Sequence, residues 1–151
     1  ESTLQLEGDL ANFSIRRTDF GKSGFGEALW YVEFQADNLN ETFTTTTTLY
    51  LNNQNQGFEK QLQNDIFLQH LIKADVITTV LSSILLSEED YQFDLSTEYP
   101  DDSLGTIISD WLSSLNVKKE SDLKNIINQI INEQGIFRRR CQNLASSKEE
   151  E

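Results

Sequence analysis

This chain is nearly empty of the residues from which most catalytic centres are built. Across 151 residues it has one histidine (His70), one cysteine (Cys141), one proline and no methionine. A single cysteine forms no internal disulfide, which excludes a disulfide framework and favours the cytoplasm or another reducing compartment. Position 1 is Glu1, not the small second residue that usually accompanies loss of an initiator methionine. The expectation is a processed chain, or one excised from a longer protein. No signal peptide is recognisable, and no uninterrupted apolar run reaches the roughly 18 residues of a membrane span. The densest apolar stretch, 66–86, is broken by Gln69, His70, Lys73, Asp75, Thr78, Thr79, Ser82 and Ser83. That is the pattern of a buried core, and no membrane association is expected.

Basic side chains are also scarce, 12 against 25 acidic ones, for a formal net charge of −13. The imbalance is uneven. Residues 1–57 carry three basic and eight acidic side chains, residues 58–116 two and eleven, and residues 117–151 seven and six. A negative middle repels phosphate backbones, so DNA and RNA are not expected partners. A basic protein is.

What remains suffices for a core. The apolar fraction is 37%, with nine Phe, four Tyr and two Trp, too aromatic for a disordered chain. The length suits one domain, here placed at 1–145, with residues 146–151 as a polar C-terminal tail.

Periodicity divides the chain in two. Trp30, Val32 and Phe34 alternate with Leu29, Tyr31 and Glu33, a strand pattern. Phe43, Thr45, Thr47, Leu49 and Leu51 form one face of a second strand whose other face is Thr44, Thr46, Thr48 and Tyr50. Turn chemistry at Asp37-Asn38-Leu39-Asn40 separates the two. Leu4, Leu6, Phe13 and Ile15 predict one or two earlier strands. An antiparallel meander of three or four strands follows.

After the polar break at residues 52–57 the period becomes helical. Phe58, Leu62, Ile66 and His70, joined by Phe67 and Leu71, lie at steps of about four. Val76, Ile77, Val80, Leu81, Ile84 and Leu85 continue the pattern, either in a second helix capped by Asp75 or after a bend. Leu104, Ile107, Ile108, Trp111, Leu112 and Leu115 form one clean stripe, with Asp102 or Ser103 as N-cap and Asn116 as stop. A last helix starts at Ser121 with Leu123, Ile126, Ile127, Ile130 and Ile131. It ends at Gly135, or continues through Phe137, Cys141 and Leu144. Strands first and four helical segments afterwards predict an α+β fold.

Candidate chemistry is thin. Gly21-Lys22-Ser23-Gly24-Phe25-Gly26 resembles a phosphate cradle superficially, but Lys-Ser follows the first glycine and a strand follows the last. It reads as a connection between strands. His70 and Cys141 are too few for a zinc site. A Cys–His pair would need the two brought together, whereas Cys141 falls on an apolar stripe where thiols are inert. Arg138–Arg140 could pair internally, complement a helix C-terminus or meet a partner. No catalytic residue, metal ligand or cofactor is assigned.

The exception is the stretch 88–102. Seven of its fifteen residues are acidic and none is basic. Glu88, Glu89, Asp90, Asp94, Glu98, Asp101 and Asp102 interleave with Tyr91, Phe93 and Tyr99. No calcium-loop spacing is present. These ten residues are the candidate docking surface for a basic protein partner. The expected function is a non-enzymatic, acidic protein-interaction module: an adaptor subunit, a chaperone or an inhibitor. The alternative is an enzyme or small-molecule binder using carboxylates in a sheet–helix crevice.

Overall fold

The computed structural model describes residues 14–87 and 92–147. Strand β1 is Ser14–Thr18, β2 Trp30–Phe34 and β3 Thr47–Asn52. The helices are α1 (Phe20–Ser23), α2 (Phe43–Thr46), α3 (Phe58–Asn64), α4 (Ile66–Leu85), α5 (Leu104–Ser114), α6 (Glu120–Asn132) and α7 (Gln134–Ser146). The fold is α+β, with a three-stranded mixed sheet and seven helices among the described residues.

The strand order is β1-β3-β2, not a meander. β2 runs antiparallel to β3, with Tyr31 opposite Tyr50. β1 runs parallel to β3 on its other side, with Arg16 opposite Tyr50. The expected meander fails because the link from β1 to β2 is no hairpin turn. It spans residues 19–29, beyond the two to five residues that normally join neighbouring antiparallel strands. That link folds back as α1, capped by Asp19, whose carboxylate accepts from Lys22 N at 3.1 Å. Phe20 is fully buried. Asn52, at the end of β3, holds the link in place: its side-chain amide donates to Ala28 O at 2.9 Å, and its Oδ1 accepts from Phe20 N at 3.5 Å. Any strand at Leu4 or Leu6 lies outside the described residues.

The second predicted strand begins four residues late. Residues 43–46 form a helical turn, not a strand. The threonines that suit a strand also serve here as turn formers. Thr46 Oγ1 donates to Phe43 O at 2.9 Å and Thr45 Oγ1 to Thr42 O at 2.8 Å. Phe43 is thereby turned inward, edge-on to Trp111 with ring centroids 5.7 Å apart.

Helix α4 is the spine. Asp65, not Asp75, caps it, accepting from Phe67 N and Leu68 N at 3.0 and 3.2 Å. It runs unbroken for 20 residues and packs against β2 on one side and α7 on another. By length and composition it could cross a membrane, with a mean hydropathy of 1.2, yet half of that window is buried within the protein. Asp75 sits mid-helix and accepts from Trp30 Nε1 at 2.9 Å, tying helix to sheet. Ile66, Phe67 and Leu71, predicted to join the apolar face, are exposed at the first turns of α4. The break at Asp65 rotates α4 relative to α3, so steps of four counted across it do not share a face.

α5 matches its stripe: Leu104, Ile108, Trp111, Leu112 and Leu115 are buried. Ser103 is the cap, accepting from Thr106 N at 3.2 Å, and Asn116 ends the segment at φ 64°. The last helix is two. It breaks at Glu133, with Gly135 inside the first turn of α7. A single buried cluster runs from Val32 to Ala145.

Trp111 is only 5% exposed and closes that cluster against Phe43. Trp111→Ala should cost about 3–5 kcal/mol, as large-to-small core changes do. A denaturant midpoint equal to that of the parent would contradict this packing.

A two-pronged ion pair joins β1 to α3. Arg17 Nε and Nη2 reach the Glu59 carboxylate at 2.6 and 2.7 Å. The Arg17 hydrogen bonds hold the Glu59 carboxyl below its ordinary value of 4.5. The contribution is therefore present above that value and lost as pH falls through the lower, folded one. The two side chains are 25% and 32% exposed, and solvent screening limits the effect to about 1 kcal/mol or less. Glu59→Gln should flatten the acid limb of the stability curve, measured by urea unfolding at a series of pH values. Parallel limbs would remove this pair from the account.

Candidate functional site

The candidate segment enters the structure at residue 92; Glu88, Glu89, Asp90 and Tyr91 lie outside the described residues. The described part is an ordered loop with a sidedness. Its aromatics turn toward the protein. Phe93 stacks on Tyr99 with ring centroids 5.8 Å apart, and both pack against the core. The Tyr99 ring covers Gly105 so closely that a Cβ at position 105 would fall inside it. Its hydroxyl accepts from Asp94 N at 3.1 Å, while its carbonyl accepts from Thr106 Oγ1 at 3.0 Å.

The acids turn outward. Asp94, Glu98, Asp101 and Asp102 are all exposed. The Asp94 carboxyl is held low by the backbone N–H of Ser96 and by its hydroxyl, at 2.9 and 2.7 Å. None of the four is in an ion pair with a described residue.

A second acidic loop lies beside this one, which the sequence reading did not anticipate. Asp102 O accepts from Phe43 N at 3.0 Å, Glu41 O from Leu104 N at 2.7 Å and Leu39 O from Gly105 N at 2.8 Å, with a bridge between Thr42 and Ser103. The loop carrying Asp37 and Glu41 is thus laced to the one carrying Asp101 and Asp102. Both come from stretches without a single Lys or Arg, residues 23–59 and 74–117. The signal was legible as two base-free stretches, but nothing in the pattern said that they meet.

This second loop opens onto the face of the sheet turned away from α4. There Glu33, Asp37 and Glu41, with Thr45 and Thr48, line a pocket of about 260 Å³. Glu41 is partly committed, accepting from Asn38 N at 2.9 Å. Along the same face, Tyr31 stacks on Tyr50 with centroids 5.8 Å apart and planes 18° apart. Phe25 packs on both tyrosines, and Phe20 edge-on against Phe25. This is the work of the glycine-rich link: Gly24 and Gly26 take φ of 81° and 73°, which fold Phe25 over the sheet. Tyr50 Oη donates to Glu33 at 3.4 Å. Burial first, then the Glu33 charge, pushes the Tyr50 hydroxyl above its ordinary value.

The other candidates separate. Cys141 is buried; burial raises its thiol, partly offset by the Thr78 hydroxyl and by Arg140 and Arg138. Thr78 lies eight residues beyond His70 on α4, roughly 12 Å along the axis at 1.5 Å per residue. The thiol and the half-buried imidazole therefore do not form a dyad. Arg140 donates to Leu115 O, at the C-terminus of α5, and to Gln129 Oε1 at 2.8 Å. Of the three roles open to the arginines, Arg140 has the helix-terminus one. Among the described residues no cluster of three or more His, Cys, Asp or Glu could hold a metal ion. Asp75, the carboxylate between sheet and α4, is bonded to Trp30.

Gly105→Ala must displace the Tyr99 ring, and a loss of about 1–3 kcal/mol is expected from overpacking. Amide exchange in residues 92–102 should accelerate more than in α6. Unchanged stability together with unchanged exchange would show that the loop is not anchored through Tyr99. Comparisons with protein-family models, with curated proteins and with solved structures return no match for this chain.

Proposed function

We propose that this chain is a non-enzymatic, acidic protein-interaction module whose partner is a basic protein, serving as an adaptor subunit, a chaperone or an inhibitor. The observation that supports this reading is the anchored loop 92–102. Four carboxylates are exposed, with no ion-pair partner among the described residues, on a backbone held by Tyr99, Thr106 and Phe43. Ion pairing within the chain would offset their mutual repulsion; among the described residues none does so on this loop. A basic surface would do so and would find the acids already ordered. Glu88, Glu89, Asp90 and Tyr91 extend the same acidic run in sequence.

Rim charges of this kind act mainly on association rate and salt dependence. The aromatics Phe93 and Tyr99, packed on the core, serve to hold the loop rather than to reach a partner. The test is affinity capture from a cell extract at about 50 and 200 mM salt, between which the Debye length halves. The parent chain is run beside the triple variant Glu98→Gln, Asp101→Asn, Asp102→Asn. Asparagine tolerates the left-handed conformation of Asp102. Basic proteins captured at low salt, released at high salt and lost from the variant support the reading. Capture that is indifferent to both salt and variant overturns it.

A further inference from the structure

The sheet has one face filled by the core and one face that no described helix longer than a single turn covers. On the open face two features meet: a flat pair of tyrosines, and a pocket lined by carboxylates. From that junction we infer that the open sheet face binds an arginine-bearing segment of a partner. The arginine side chain lies across Tyr31 and its guanidinium reaches Glu33 at the mouth of the pocket.

The inference rests on the reading of the chain as a binder of basic proteins, and it adds a site and a residue type. Tyr31 is 39% exposed although it stacks on Tyr50. Tyr50 and Phe25 both hold the Tyr31 ring, and the rest of that side chain stays accessible. The Tyr50 hydroxyl donates a long hydrogen bond to Glu33 at 3.4 Å, which places the carboxylate beside the rings. Asp37 and Glu41 continue the negative lining, and the pocket of about 260 Å³ has no basic residue in its wall. Charge and shape together select the occupant. Arginine is the side chain that stacks on an aromatic face and also presents a planar fork to a carboxylate. Lysine offers only a compact charge, and an acidic or phosphate-bearing ligand would meet Glu33, Asp37 and Glu41. Arg16 stands opposite Tyr50 at the β1 side of the same row and is exposed. It bars a second cation from that side, so the segment approaches from the β2 side.

The test uses a fluorescent, blocked Gly-Arg-Gly-Arg-Gly peptide, its lysine and glutamine counterparts, and a single-stranded oligothymidylate, by anisotropy at about 50 mM salt. The arginine peptide should bind more tightly than the lysine peptide, and the glutamine peptide should not bind. Tyr31→Ala and Glu33→Gln should each weaken binding about tenfold, about the strength of a desolvated cation–π or charge-assisted contact. Tyr31→Phe, which keeps the ring, should stay within about threefold and guards against a folding defect in Tyr31→Ala. Equal affinity in Tyr31→Ala, Glu33→Gln and the parent overturns the inference. So does preferential binding of the oligothymidylate through Tyr31, which would make the tyrosines a base-stacking platform. If basic proteins are still captured by the Tyr31 and Glu33 variants but lost from the Glu98, Asp101 and Asp102 variant, the sheet-face site falls and the interaction module stands. If the parent binds neither arginine peptide nor basic protein, both fall.

Discussion

The burial of α4 is the constraint on which the rest depends. Ten of its twenty residues are buried, and a helix that is apolar on more than one side needs a layer on each. The sheet supplies one layer and α7 another. Between them they must seat Ile72, Val76, Ile77, Val80, Leu81 and Ile84, all fully or nearly fully buried. The polar residues that interrupt this run are accommodated one at a time. Asp75 reaches Trp30, Thr78 the Cys141 thiol, and Gln69 the carbonyl of Leu62 at 2.9 Å. Three of the polar residues that interrupt the apolar run thus fasten the helix to its neighbours.

With α4 occupying the inner face of the sheet, the outer face is left to the link between β1 and β2. That link is too short to make a layer and long enough to make a patch. Phe20 and Phe25 close one end, Phe25 packing on both Tyr50 and Tyr31, while Tyr31 stays partly accessible and Asp37 is exposed. The backbone bonds between residues 39–43 and 102–105 then extend the open region with a second acidic loop. One consequence of packing thus produces both candidate surfaces.

Legibility in the sequence follows the range of the forces involved. The α5 stripe, a cap at Asp102 or Ser103 and the stop at Asn116 were legible because helical period and capping are local. The β2 alternation was legible for the same reason. What was not legible was set by distant partners. Nothing within residues 43–52 says that Phe43 must reach Trp111, so the helical turn at 43–46 read as strand. Nothing in β1 says that it will pair with β3 and not with β2. The stripe through Phe58, Leu62, Ile66 and His70 looked continuous because period alone cannot show that Asp65 stops one helix and caps the next. The acidic segment was legible as composition, while its convergence with Asp37 and Glu41 depends on tertiary hydrogen bonds and left no local trace.

The acids also sit where the fold tolerates them best. Asp101 and Asp102 immediately precede the N-terminus of α5, and Arg140 meets the carbonyl of Leu115 at its other end. Negative charge at a helix start and positive charge at its finish are each favourable by a few tenths to about 1 kcal/mol. α5 is eleven residues long, so at 1.5 Å per residue its ends stand roughly 16 Å apart, beyond a Debye length at physiological salt. Arg140 therefore complements the helix without neutralising the loop. The arrangement keeps the Arg140 charge away from the acidic loop. An acidic loop anchored by its own aromatics, with no counterion among the described residues, retains its field for whatever approaches from outside.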